Sequence, residues 1–122
     1  MRVLPLIVGT VSVLTFSAGC AGPALSLPPN NALEVDFTAE DGNHRHLRLL
    51  PTDGRYQQLQ DWIAHNQYGW LPYLTTVPGG GVYVSAGTWS LQFFGTTVFA
   101  CPKSAACSEK SVRESEYEFL ER

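Results

Sequence analysis

The sequence has no surplus of positive charge. Eight Lys/Arg stand against eleven Asp/Glu, a formal net charge of −3 with histidine neutral. Nucleic-acid binding needs a basic footprint, so this balance argues against it, and it offers no polybasic attraction to anionic lipid. No uninterrupted apolar run reaches the roughly 20 residues that a membrane-spanning helix requires. The longest candidate, Val3–Phe16, is broken by Pro5, Gly9, Thr10, Ser12 and Thr15. Cysteine is scarce, with three in the chain, and none has the close spacing of a CxxC redox motif. A G-x-S-x-G nucleophile elbow is missing. The one glycine run, Pro78-Gly79-Gly80-Gly81, lacks the lysine and helix of a phosphate loop and reads as a hairpin tip. There is no internal repeat. The expectation is a chain that is not an enzyme and carries no cofactor.

What is present begins with residues 1–20, MRVLPLIVGTVSVLTFSAGC. Arg2, an apolar middle and a small-residue end form the three-part layout of a secretory signal. Ala18-Gly19-Cys20 resembles the lipobox of bacterial lipoproteins, with Ser17 standing where that motif favours Leu. The resemblance covers residues 1–20 alone. It implies cleavage after Gly19 and acylation of Cys20, which would anchor the chain through several buried acyl chains. Ala21, rather than Asp, at the next position implies sorting to the outer membrane, facing the periplasm. Ordinary signal cleavage after Gly19 is the rival route and leaves Cys20 as a free thiol. Cysteine parity favours lipidation: with Cys20 modified, Cys101 and Cys107 pair and none is left over. Loss of residues 1–19 leaves seven Lys/Arg (eight less Arg2) against eleven Asp/Glu, a side-chain charge of −4.

The remaining chain is the length of one domain. Residues 21–32, AGPALSLPPNNA, hold three prolines, so with Cys20 they read as a tether, unless Leu25 and Leu27 pack back onto the domain. Leu33–Thr38 alternates apolar and polar residues, the mark of a half-buried strand. Asp41-Gly42 signals a turn into a second strand, His44–Leu50, making a hairpin. Tyr56, Leu59, Trp62 and Ile63 share one side of a helix over Arg55–Asn66, with Thr52 or Asp53 as its cap and Gly69 at its end. Strands follow over Leu71–Val77 (at an edge, because of Pro72), Val82–Ala86, Thr88–Phe94 and Thr96–Cys101. Val112–Leu120 suits a strand by alternation and a helix by its glutamates. The expected fold class is α+β: an N-terminal β-hairpin, one helix, then an antiparallel β-meander in a single curled sheet or small barrel packed on the helix. Domain boundaries fall at 1–19, 20–32 and 33–122.

Candidate sites follow from chemistry. Export to an oxidising compartment makes a Cys101–Cys107 disulfide the default. His44 and His46 lie on one strand face and are weak metal candidates; a stable site needs further ligands, and His65 and Asp36 are the only obvious ones. Aromatic residues around the helix-to-strand loop, Tyr68, Trp70 and Tyr73, together with Gly79 and Gly80 at the glycine-rich tip, are the candidate partner-binding residues. Trp70 has an equally simple place sealing the core. The functional expectation is a membrane-anchored periplasmic lipoprotein acting as a non-catalytic protein-binding module, in the manner of an inhibitor or immunity-type protein against an envelope-targeting enzyme. The alternatives are a structural or assembly accessory of an outer-membrane complex and, behind it, a metal-binding protein using His44 and His46.

Overall fold

The computed structural model of the chain describes residues 25, 31–39, 41–103 and 105–121. The expected signal segment and Cys20 lie outside the described residues. Seven strands and one helix follow in the order β1 (Leu33–Thr38), β2 (His44–Leu49), α1 (Gly54–His65), β3 (Leu71–Tyr73), β4 (Gly81–Ser85), β5 (Trp89–Phe94), β6 (Thr97–Pro102) and β7 (Cys107–Ser111). All pairings are antiparallel, and the strand order is β2-β1-β4-β5-β6-β7-β3. The sheet is open, with β2 and β3 as its edges, so the expected α+β class is present in the form of a sheet and not a closed barrel.

Period-two alternation sets the two faces. Leu33 and Val35 of β1, Leu49 of β2, Val82 and Val84 of β4, Leu91 and Phe93 of β5, and Val98 and Ala100 of β6 are all buried. Their registers, Val35↔Val84, Val84↔Leu91 and Leu91↔Ala100, line them up on one face. Because β2 and β3 are opposite edges, the chain between them must cross the whole sheet, about 29 Å at roughly 4.8 Å per strand spacing. Helix α1 makes that crossing on the apolar face. It buries Tyr56, Leu59, Trp62 and Ile63, and Trp62 meets Phe93 edge to face at 5.1 Å.

The helix starts as its sequence indicates, with the Asp53 carboxylate accepting from the Arg55 amide at 2.9 Å. Its end differs from the expectation built on Gly69. The helix stops at His65, and polar side chains close its last turn: the Asn66 amide donates to the Trp62 carbonyl and the Gln67 amide to the Ile63 carbonyl, each at 2.7 Å. These bonds satisfy carbonyls that a left-handed glycine would otherwise help to cap. Leu25 is buried in the core, so at least this residue of the expected tether packs on the domain; Leu27 lies outside the described residues.

Three further expectations need correction. The strand expected over Leu71–Val77 stops at Tyr73, because the chain must leave the edge to reach β4. Strand β7, Cys107–Ser111, has a polar sequence without apolar alternation, which hid it from pattern reading. It separates β3 from the rest, so only β4 to β7 form a meander. The last segment is neither strand nor α-helix but two 3-10 turns, Glu114–Glu116 and Glu118–Glu121. Three-residue spacing brings Tyr117 and Leu120 to the buried side. Tyr117 stacks on Phe93 with centroids 4.8 Å apart, and Glu116 accepts from the Trp62 indole N–H at 3.1 Å. The C-terminal segment thus closes the apolar face beside α1.

Candidate functional site

The second face of the sheet carries the polar partners of the alternating strands. Residues Leu74–Gly80 cross it as a strap from β3 back to β4. Four strand spacings, about 19 Å, are covered by eight Cα steps, which extend to about 26–29 Å. The strap therefore spans the sheet with about a quarter to a third of its reach to spare. Gln92, buried on this face, donates its side-chain amide to the Pro78 carbonyl at 2.5 Å and the Gly80 carbonyl at 2.8 Å. Beside it Tyr73 packs on Phe99 with centroids 4.8 Å apart, and its hydroxyl donates to the Thr76 carbonyl.

The residues singled out for partner binding separate on this framework. Trp70 points inward, 8% exposed, meets Trp62 at 6.3 Å and donates to the Asn66 carbonyl at 2.7 Å. Tyr73 is half-buried under the strap. Gly79 and Gly80 are exposed on the strap and do not form the expected hairpin tip, because the strands they connect, β3 and β4, are not neighbours in the sheet. Tyr68 is 66% exposed, and two residues that the aromatic signal did not identify stand with it at the β3 edge: Leu71, 64% exposed, and Leu74, 83% exposed. Alternation around Pro72 could have marked Leu71. Nothing in the sequence marks Leu74, because its exposure follows from where the strap leaves the sheet.

His44 and His46 lie on the open half of the same face. Registers Asp36↔His46 and Glu34↔Arg48 interleave them with carboxylates. His46 holds one carboxylate on each ring nitrogen, Asp36 at 2.8 Å and Glu34 at 2.7 Å. The second nitrogen pair belongs to His44, with Asp36 and the Thr38 hydroxyl each at 3.2 Å. Arg48 approaches Glu34 at 3.5 Å. Hydrogen bonds donated to Asp36, then to Glu34, raise the His46 pKa above its ordinary value. The hydrogen bond from His46 is the largest cause holding Asp36 below the usual carboxylate range. The arrangement matches a protonated imidazole donating to two carboxylates. Among the described residues, no group of three or more His, Cys, Asp or Glu side chains is arranged to hold a metal ion. His65, the other histidine, is at the far end of α1 with Nδ1 on the Asp61 carbonyl. Sequence reading singled out Asp36 but missed Glu34, whose role depends on strand register.

Cys101, near the end of β6, and Cys107, the first residue of β7, are joined in a disulfide across the hairpin, with Cα atoms 4.2 Å apart. The bond sits one step beyond the Ala100↔Ser108 pair.

A groove of about 810 Å³ opens at the end of the sheet where β1 finishes, β4 begins and β5 turns. Phe37 and Phe94 supply ring surface beside the buried Tyr117, and Asp41, Glu114 and Glu121 supply carboxylates. The Tyr117 hydroxyl donates to the Gly95 carbonyl at 2.8 Å. Arg45, stacked 5.1 Å above Phe37, donates to the Glu121 main-chain carbonyl. Comparison of the chain with family models, with curated proteins and with solved structures gave no match.

Proposed function

We propose that the chain is a lipid-anchored protein-binding module of the cell envelope, held in the outer membrane through Cys20. In this reading it acts without catalysis, as an inhibitor or immunity-type protein against an envelope-targeting enzyme. The observation that carries the reading is the exposed apolar edge of Tyr68, Leu71 and Leu74. Three large apolar side chains within seven residues, each more than half exposed around the edge strand β3, are of the kind that partners cover. The acidic balance adds a preference for a basic partner, expressed mainly as a faster, salt-sensitive association.

The test is capture from an envelope extract by the full-length chain in detergent, at modest salt, with L71D/L74D as the comparison. One partner retained by the parent and released by the double variant is the expected result. Recovery of no partner, or equal retention by the variant, refutes the reading. Thermal unfolding of L71D/L74D should match the parent, since both side chains are mostly in water already. Mass measurement of the mature N-terminus tests the anchor: an unmodified Cys20 removes it.

A further inference from the structure

We propose that the groove between the end of the sheet and the C-terminal turns receives a cationic side chain, lysine or arginine, from the protein partner. The inference rests on the protein-binding reading and goes beyond it, because the groove's lining is separate from the Tyr68–Leu74 edge. Its argument is charge complementarity in a formed groove of about 810 Å³.

The lining includes three carboxylates and no lysine or arginine. Asp41 is already engaged, accepting from the Asn43 main-chain and side-chain amides at 2.9 Å each. Glu114 and Glu121 differ. Among the described residues neither side chain takes part in a hydrogen bond or an ion pair, although Arg45 lies close enough to temper Glu121. Burial, followed by the charges of Glu114 and Glu118, holds the Glu121 carboxyl above its usual range. Burial and the same Glu114 and Glu121 charges push the Tyr117 hydroxyl up. Burial is the larger cause of both shifts, and the Glu114 charge adds to each.

The walls add a second requirement on the occupant. Phe94, 42% exposed, is the open ring of the lining, Tyr117 being buried, and Arg45 over Phe37 shows within this molecule how a guanidinium lies on one of these rings. Ring faces attract cations, and carboxylates add charge-assisted hydrogen bonds. An anionic occupant meets three like charges, and a purely apolar one leaves Glu114 and Glu121 unpaired. A Lys or Arg side chain satisfies both the rings and the acids.

The probe is an acetylated, amidated Gly-Arg-Gly peptide, titrated into the ¹⁵N-labelled full-length chain in detergent and followed by amide shifts. Gly-Leu-Gly and Gly-Glu-Gly serve as controls. The expected result is saturable movement of the Gly80, Gly81, Gly95 and Tyr117 amides with the arginine peptide alone. E114Q should weaken that binding about tenfold, the size expected for one charge-assisted hydrogen bond, and E114Q/E121Q should abolish it. Glu114 is exposed, so E114Q keeps the test interpretable if the double variant is destabilised. Shifts that spread over the surface without saturating, an equal response to Gly-Leu-Gly, or no effect of E114Q overturn the inference. The edge experiment separates the two readings. A partner lost in L71D/L74D but bound unchanged by E114Q/E121Q overturns the groove and leaves the protein-binding reading standing. Saturable peptide binding in a chain that captures nothing supports the groove and refutes the wider reading.

Discussion

Gln92 is the most informative residue to perturb, because its burial depends on the route of the chain. It occupies the second face of β5 and is 8% exposed, with both of its side-chain hydrogen bonds made to the strap. Substitution by alanine removes two neutral hydrogen bonds, each worth about 1 kcal/mol net. Pro78 is half-buried and Gly80 exposed, so water can reach part of this segment and the full desolvation penalty is not added. Adding lost packing of the side-chain stem, Q92A should cost about 2–3 kcal/mol. For a domain of this size that lowers Tm by roughly 8–24 °C. Q92L keeps the apolar volume and should cost about 2 kcal/mol. Denaturant midpoints give the totals, and hydrogen exchange locates the loss: amides of residues 74–80 should exchange faster while those of α1 keep their relative protection. A Q92A variant within 0.5 kcal/mol of the parent, or with unchanged exchange in the strap, would refute the claim that Gln92 holds it.

Removal of the disulfide, by C101A/C107A, closes a short loop less firmly and should cost about 2 kcal/mol in the chain-entropy relation, read as a lower denaturant midpoint; no change would show that the hairpin holds without it. G81A should be severely destabilising, more than about 2 kcal/mol, because Gly81 has φ of +75° and an added Cβ would lie 2.2 Å from the Phe93 carbonyl oxygen; a stable G81A would contradict that placement. The His46 cluster sets a pH window. Its raised pKa means that the contribution is complete below about 6.5, the ordinary histidine value, and is lost as pH rises through the folded value. The lowered Asp36 pKa means that its contribution is complete above about 3.9 and is lost as pH falls through the folded value. Both are therefore present together between about pH 4 and 6.5. An NMR titration should place the His46 midpoint above 6.5, and D36N or E34Q should bring it down; a midpoint at or below 6.5 in the parent would refute the geometry.

How far the fold could be read from residues varies along the chain. Period-two patterns in β1, β4 and β5 placed those strands because one face is covered and the other carries polar groups. The helix stripe Tyr56, Leu59, Trp62 and Ile63 was visible for the same reason at period 3.6. Pattern reading failed at β7, where pairing with β6 and the disulfide organise a polar strand. It failed again after Tyr73, where the chain leaves the edge and returns across the sheet to β4 as a strap. In the candidate sites, exposure of Tyr68 agreed with its loop position, whereas Trp70 turned inward because its indole N–H finds the Asn66 carbonyl.

Residue order alone therefore determined the elements whose burial is one-sided, the capped start of α1 and the nearness of Cys101 to Cys107. These follow from local geometry, which a short window of sequence contains. Tertiary structure decided which residues meet. It interleaved Glu34 and Asp36 with the two histidines, buried Gln92 and Phe99 on the polar face, and brought Glu114 and Glu121 to the end of β1. Each of those contacts depends on strand order and on where a connection crosses the sheet, and these are set by the packing of the whole chain.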